Sequence, residues 1–171
     1  MFVLLLYAYH ETEQAHSNLL HYLSHGAVPT AAGRQVFVVN GPHSLRPEQF
    51  AKDDTVVERE NEGFDFGAWA VGLARAPNEE YTHVVLMNAS VRGPFLPAYA
   101  HTTNWVDGFL ALLRGDVALA GLAVNCPDGK GRKWPHVMSM AMVLDERALR
   151  IADDHGIFAC AATYDEAVER E

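Results

Sequence analysis

Basic side chains are scarce in this sequence. It contains 13 lysines and arginines against 22 aspartates and glutamates, which gives a formal net charge of −9 at pH 7. A protein that binds a nucleic-acid duplex needs a basic surface to meet the phosphates, so the charge balance argues against nucleic acid as a partner. A small phosphate-bearing ligand needs only local cations and is compatible with this composition.

Cysteine and long apolar runs are also rare. The two cysteines, Cys126 and Cys160, are too few for a disulfide framework and too isolated for a zinc finger, and they suit a reducing compartment. No apolar run approaches the roughly 18 residues that span a membrane. The apolar opening at 2–6 lacks the basic flank of a signal peptide. We therefore expect a cytoplasmic protein with no transmembrane segment.

Short apolar runs alternate with stretches of helical spacing along the chain. A continuous apolar run, as at 2–9, is typical of a strand buried on both faces. The alternation predicts a single α/β domain over 1–171, with a Rossmann-like, mainly parallel sheet and helices on both faces. The predicted strands are 2–9, 35–39, 55–58, 83–87, 117–124 and 137–144, and the predicted helices are 12–25, 64–75, 105–113, 146–153 and one that begins at Tyr164.

Polar residues follow four of the predicted strands. They lie at Tyr9-His10, at Asn40, at 58–61 and at 88–92. Open α/β sheets bind their ligands beyond the carboxyl ends of the strands, so these positions predict a ligand site at one edge of the sheet. The alternative is that strand ends are polar simply because they reach the surface.

The stretch 58–69 combines a strand end, a polar turn and a helix start, which is typical of phosphate binding in α/β proteins. Arg59 could pair with a diphosphate or with neighbouring glutamates. Asn61 could recognise a base or ribose, or hold the turn. Asp65 could accept ribose hydroxyls or cap the helix. Gly67 would permit close approach within the first helical turn.

Three segments in this order resemble one enzyme group. Residues 59–68 read Arg-Glu-Asn-Glu-Gly-Phe-Asp-Phe-Gly-Ala, residues 85–94 read Val-Leu-Met-Asn-Ala-Ser-Val-Arg-Gly-Pro, and residues 136–139 read His-Val-Met-Ser. In order and spacing they resemble segments of the rhamnan-synthesis protein F group of glycosyltransferases and of related viral and microbial polysaccharide enzymes. The resemblance implies a GT-A fold and a glycosyltransferase of hexosyltransferase type in polysaccharide biosynthesis.

The resemblance also implies roles for individual residues. Asn88 and Ser90 stand where GT-A enzymes usually carry an Asp-x-Asp motif that holds Mg²⁺ or Mn²⁺. Both side chains offer an oxygen but no charge, so dependence on a metal is an open question. We expect Tyr9 and Arg92 at the strand ends to bind the donor together with the 58–69 stretch. His136 could contact the sugar, bind a metal, carry a proton or serve only the structure.

An inverting transfer needs a base for the acceptor hydroxyl, which GT-A enzymes usually place after the last core strand. Glu169 and Glu171 fall in that region, although two solvated terminal glutamates are the alternative. The chain stops there, and we expect a truncated domain or the first part of a longer protein. The leading hypothesis is transfer of a sugar from a nucleoside diphosphate sugar to a glycan or small-molecule acceptor. The alternatives are a non-catalytic nucleotide- or sugar-binding domain and an unrelated α/β interaction domain.

Overall fold

A six-stranded sheet forms the centre of the computed structural model, which describes residues 2–29, 31–100, 104–126, 135–163 and 166. The strands of the described chain are β1 (Val3–His10), β2 (Gly33–Asn40), β3 (Thr55–Arg59), β4 (His83–Asn88), β5 (Leu119–Gly121), β6 (Val124–Asn125), β7 (His136–Val137) and β8 (Ala141–Asp145). The order in the main sheet is β3-β2-β1-β4-β8-β5, and β6 pairs with β7 in a small second sheet. Strands β1 to β4 are parallel, and β8 runs antiparallel to β4 and β5. The mainly parallel sheet is therefore confirmed.

Helices cover both faces of the sheet, as predicted. They are α1 (Glu13–His25), α2 (Phe64–Arg75), α3 (Trp105–Leu110) and α4 (Glu146–Asp154), with short 3₁₀ turns at Pro47–Gln49 and Ala98–Ala100. Thr12 caps α1 by accepting a hydrogen bond from the Ala15 amide at 3.0 Å. In the described part of the chain, no helix is both long and apolar enough to cross a membrane.

Strand β1 supplies side chains to two separate apolar cores. Its odd-numbered residues, such as Tyr7, pack with α1 and α3 on one face, and its even-numbered residues, such as Leu6, pack with α2 on the other. Each of its residues except His10 is buried. The continuous apolar run at 2–9 is thus explained by burial on both faces of a central strand.

The predicted strands 117–124 and 137–144 do pair with each other, but each is interrupted. Gly121 pairs with Met142, whereas Val124 pairs with Val137, so the second strand holds two more residues than the first between these pairs. The extra residues form a turn at Ser139 and Met140. The carbonyl of Met140 accepts a hydrogen bond from the backbone amide of Asn88 at 3.1 Å. A bulge of this kind re-aims the backbone toward a neighbouring strand.

Two further predictions differ from the structure or fall outside it. The helix predicted at 105–113 ends at Leu110, because the amides of Leu112 and Leu113 bond to carbonyls three residues back and tighten the last turn. The helix predicted to begin at Tyr164 lies, apart from residue 166, outside the described residues.

Candidate functional site

The order of the strands reverses between β1 and β4. From β1 the chain moves outward through β2 and β3, and it then returns to place β4 on the other side of β1. A cavity of about 280 Å³, here named the switch-point cavity, opens at this place and is lined by Ala8, His10, Thr12, Gln14, Ala15, Asp65, Asn88, Ala89 and Ser90. Open α/β sheets bind ligands at such a reversal, so the cavity is the candidate functional site.

A hydrogen-bonded cluster of Asp65, Asn88 and Ser90 forms one wall of the switch-point cavity. The Asn88 amide nitrogen donates to Asp65 Oδ2 at 2.6 Å, and the Ser90 backbone amide donates to Asn88 Oδ1 at 3.1 Å. The Ser90 hydroxyl also donates to Asn88 Oδ1. A carboxylate only accepts and a backbone amide only donates, so these partners fix the orientation of the Asn88 side chain. The sequence suggested Asp65 for ribose binding and Asn88 and Ser90 for metal binding, and the structure brings the three side chains into contact.

Asp65 reaches this cluster from the first turn of α2. The N-cap of α2 is Gly63 in the left-handed conformation at φ 71°, so the alternative that Asp65 caps this helix is wrong. Within the described lining of the switch-point cavity, Asp65 is the one carboxylate. Its position near the helix N-terminus suits a negative charge.

His10 enters the switch-point cavity from the end of β1. Its Nδ1 lies 3.1 Å from the carbonyl oxygen of Asn40. Because a carbonyl can only accept, Nδ1 carries the hydrogen, and in the neutral ring Nε2 keeps the lone pair. The neighbouring Tyr9, one of the residues predicted to bind the donor, is only 1% exposed and does not line this cavity.

Glu11 fixes the turn that follows His10. It accepts hydrogen bonds from the Tyr9 hydroxyl at 2.5 Å and the Ser44 hydroxyl at 2.7 Å, and it lies 3.3 Å from His16 Nδ1. Burial acts to raise the pKa of Glu11, but the hydrogen bonds from Tyr9, Ser44 and His16 outweigh it and lower the pKa to about 2. Burial, with the bond to Glu11, raises the pKa of Tyr9. Tyr9 therefore holds the turn in this structure.

Arg59 holds the backbone at the start of α2. Its guanidinium donates to the carbonyl oxygens of Glu60 at 3.0 Å and Gly67 at 2.9 Å, and also to that of Glu62. A diphosphate or a neighbouring glutamate side chain was expected as its partner from the sequence, and these backbone carbonyls are a third arrangement. Binding of a diphosphate by Arg59 stays a prediction.

The space beside Gly63 and Gly67 is taken by Cys160. A Cβ atom at Gly63 would lie 2.6 Å from Cys160 Sγ, and one at Gly67 would lie 3.0 Å from it. Gly67 was expected to permit close approach within the first helical turn, and Cys160 is the residue that approaches it there. A cavity of about 510 Å³, here named the loop cavity, opens at the same junction and is lined by Asn61, Glu62, Gly63, Phe64, Cys160, Ala161 and Ala162.

Phe64 is a candidate ligand-binding residue that the sequence analysis missed. It lines the loop cavity beside Asn61, it is 44% exposed, and its φ is 54°. A bulky residue rarely adopts a positive φ, and such strained residues concentrate at ligand sites. An exposed aromatic ring beside an amide side chain can stack on a base while the amide bonds to the base edge.

Two further predicted residues, Arg92 and His136, do not line the switch-point cavity. Arg92 donates to the carbonyl and hydroxyl oxygens of Ser17 at 3.2 and 2.8 Å and lines a different cavity. His136 lies in β7, opposite Asn125. Glu169 and Glu171 lie outside the described residues. In the part of the chain that is described, no group of three or more His, Cys, Asp or Glu side chains could hold a metal ion.

The 59–68 and 85–94 segments both lie within a part of the chain that resembles a known family. Residues 36–107 match the family model of rhamnan synthesis protein F. The predicted resemblance is confirmed over this segment, which contains two of the three quoted motifs and runs from β2 into α3. The match supports a glycosyltransferase-like function and argues against an unrelated interaction domain. No curated protein matches the chain at a significant level.

A solved structure confirms the fold. The mannosyltransferase PcManGT from Pyrobaculum calidifontis, in complex with GDP-Man and Mn²⁺, is similar to this chain with a TM-score of 0.54 and 14% sequence identity. The similarity covers 88% of this chain but only 46% of the mannosyltransferase. The chain thus spans less than half of that protein, and the likeness shows a shared GT-A-like fold.

Proposed function

We propose that the switch-point cavity binds a nucleoside diphosphate sugar and that the chain transfers the sugar to a glycan or small-molecule acceptor. The observation that carries this proposal is the cluster of Asp65, Asn88 and Ser90 in a cavity at the reversal of strand order. The match to rhamnan synthesis protein F over 36–107 includes all three residues and supports it.

A divalent cation, Mg²⁺ or Mn²⁺, fits the donor groups of this cluster in part. Asp65 offers a carboxylate, and Asn88 and Ser90 offer neutral oxygens, which are the ligand type that hard cations prefer. Mg²⁺ is commonly held by one or two carboxylates together with substrate phosphates. We therefore propose that Asp65 holds the cation jointly with the diphosphate of the donor. A bound cation would neutralise the charge that develops on the departing diphosphate.

The residues around the cluster have complementary roles in this proposal. The N-terminus of α2 begins beside the cavity and favours the negative diphosphate. Phe64 and Asn61 in the loop cavity receive the nucleoside. The acceptor oxygen bonds to the anomeric carbon while the bond from that carbon to the diphosphate breaks, and the hydroxyl proton passes to a base. His10 Nε2 is a base within the cavity, and Glu169, Glu171 and His136 stay as the predicted alternatives.

A second candidate function is donor binding without transfer. It is favoured by one observation, which is that the described lining of the switch-point cavity holds a single carboxylate. The two functions differ in whether nucleoside diphosphate is released from a bound nucleotide sugar in the presence of acceptors.

Thermal unfolding with a panel of nucleoside diphosphates and nucleotide sugars, with and without Mn²⁺, tests donor binding. A ligand at 100 times its Kd stabilises the fold by about 2.7 kcal/mol, which is a measurable rise in Tm. We expect this rise in the wild-type protein and in Asp107→Asn, an exposed control on α3, and a much smaller rise in Asp65→Asn. The proposal fails if no member of the panel raises the Tm. Release of nucleoside diphosphate then separates transfer from binding alone.

A further inference from the structure

The cavity that Arg92 lines lies on the other side of residues 87–91 from the switch-point cavity. Asn88 and Ser90 line the switch-point cavity, whereas Met87 and Val91 line this other cavity, which has a volume of about 320 Å³ and is here named the apolar cavity. Pockets of roughly 300–1,000 Å³ accommodate small-molecule ligands. The two cavities are thus neighbours across the end of β4 and the turn at Ala89 and Ser90, as a donor site and an acceptor site must be.

The walls of the apolar cavity are aromatic and aliphatic. Trp105 and Phe109 of α3 form one side, and the Trp105 ring is fixed because its Nε1 donates to the Gly26 carbonyl at 2.7 Å. Phe95 is 70% exposed and Leu122 is 52% exposed, and both line the cavity. Large apolar side chains exposed together around a concave surface are typical of a binding site.

The charge of this lining is opposite to that of the chain. Arg92 is its one charged side chain among the described residues, and it includes no carboxylate, although the whole chain carries a net charge of −9. Arg92 is exposed, and its Nη1 is anchored on the carbonyl and hydroxyl of Ser17. A guanidinium held in this way suits a phosphate or carboxylate, which it can meet with several N–H groups.

We propose that the apolar cavity binds the acceptor and that this acceptor is an amphiphile, with an apolar portion against Trp105 and Phe109 and an anionic group on Arg92. The inference rests on the proposed function, which places the donor across the 87–91 segment. A neutral glycan alone would leave its hydroxyls against apolar walls, where unpaired polar groups are costly. The charge complementarity at Arg92 selects an anionic amphiphile over a neutral one.

Calorimetric titration of the full chain, without nucleotide, tests the inference. The probes are decyl phosphate, decyl glucoside and inorganic phosphate, with both amphiphiles below their micelle concentrations. Decyl phosphate is expected to bind most tightly. Arg92→Gln is expected to weaken decyl phosphate by about ten-fold, because a charge-assisted hydrogen bond is lost, and to leave decyl glucoside within about two-fold. Phe95→Ser is expected to weaken both amphiphiles, whereas Ile151→Ser, a 58% exposed control on α4, is expected to weaken neither.

Each outcome separates this inference from the proposed function. Equal binding of decyl phosphate by the wild-type protein, Arg92→Gln and Phe95→Ser would overturn the inference, and so would inorganic phosphate that binds as tightly as decyl phosphate. A dimer that Phe95→Ser abolishes would also overturn it, since a second copy would then occupy the cavity. Nucleotide binding measured on the same wild-type sample is expected whether or not decyl phosphate binds, so failure at the acceptor cavity is distinguishable from failure at the donor cavity.

Discussion

At the scale of single residues, the amide of Asn88 makes a contact that a carboxylate could not make. It donates to Asp65 while it accepts from Ser90, so one side chain joins both partners with the correct polarity. An aspartate at this position would place two carboxylates in contact, and each would raise the energy of the other's charged form. The amide therefore leaves Asp65 as a single, oriented negative charge in the switch-point cavity.

Asn88→Asp is expected to convert this cluster into a stronger metal site at a cost in stability. Without metal, the loss of the hydrogen bond and the new repulsion lower the free energy of unfolding by about 1–3 kcal/mol. Millimolar Mn²⁺ is expected to restore the stability by binding the paired carboxylates of the folded state. Urea unfolding with and without Mn²⁺ measures both effects.

The matched control for that experiment is Asn78→Asp, which adds a carboxylate at an exposed loop position away from the cavity. Its free energy of unfolding is expected to stay within about 0.5 kcal/mol of the wild-type value, with or without Mn²⁺. If Mn²⁺ stabilises Asn88→Asp no more than Asn78→Asp, the paired carboxylates do not bind the metal. The proposed role of Asp65 as a metal ligand then loses its support.

At the scale of elements, the start of α2 is held by backbone contacts. Arg59 binds three carbonyl oxygens around the turn, and the 160–161 segment packs on Gly63 and Gly67. Gly63 also pairs with Ala161 in an isolated antiparallel β-bridge. These contacts set the direction in which α2 begins, and this direction brings Asp65 to Asn88.

Gly63→Ala is expected to destabilise this junction. The substitution puts a side chain on a left-handed residue, and its Cβ would meet Cys160 Cα at 2.9 Å. The left-handed backbone alone costs an alanine about 1–2 kcal/mol, and the collision adds to that cost. We expect a loss of about 2 kcal/mol or more in the free energy of unfolding, measured by urea unfolding.

Gly108→Ala provides the comparison, because Gly108 lies in α3 with nothing within 4 Å of an added Cβ. Alanine is favoured over glycine inside a helix, so this variant is expected to gain up to about 1 kcal/mol. Equal effects of the two substitutions on the free energy of unfolding would show that the 160–161 segment does not hold the start of α2.

The elements themselves were largely predictable from the sequence because apolar runs and helical spacing are local signals. The interruption near Ser139 was not predictable, since a slip of two residues in register leaves the apolar pattern unchanged. The orientation of the residues at the end of β1 was not predictable either. A strand buried on both faces shows no alternation of apolar and polar residues, so its sequence does not reveal that His10, rather than Tyr9, faces the switch-point cavity. The hydrogen bonds from Arg59 to backbone carbonyls could not be predicted either, because every residue has a carbonyl and the pattern of side chains does not show which ones Arg59 meets.

At the scale of the whole molecule, Glu11 links parts of the chain that meet beside the reversal of strand order. It bonds to Tyr9 at the end of β1, to His16 on α1 and to Ser44 in the connection after β2. The position of His10 in the switch-point cavity depends on this arrangement, since His10 lies between Tyr9 and Glu11. The stability of the fold and the geometry of the site are thus coupled through one carboxylate.

This coupling predicts a specific dependence of stability on pH. Hydrogen bonds lower the pKa of Glu11 from 4.5 to about 2 in the folded state. The ionised carboxylate therefore stabilises the fold fully above pH 4.5, and this stabilisation is lost as the pH falls from 4.5 to about 2. Glu11→Gln is therefore expected to lower the free energy of unfolding by about 1–3 kcal/mol at pH 7, and this difference from wild type should shrink toward zero near pH 2. Glu48→Gln, at an exposed glutamate in the 3₁₀ turn at Pro47–Gln49, is expected to match wild type at every pH. Urea unfolding measured from pH 7 to pH 2 tests this prediction. If the difference in free energy of unfolding between Glu11→Gln and wild type stays constant over this range, the charge of Glu11 does not stabilise the fold.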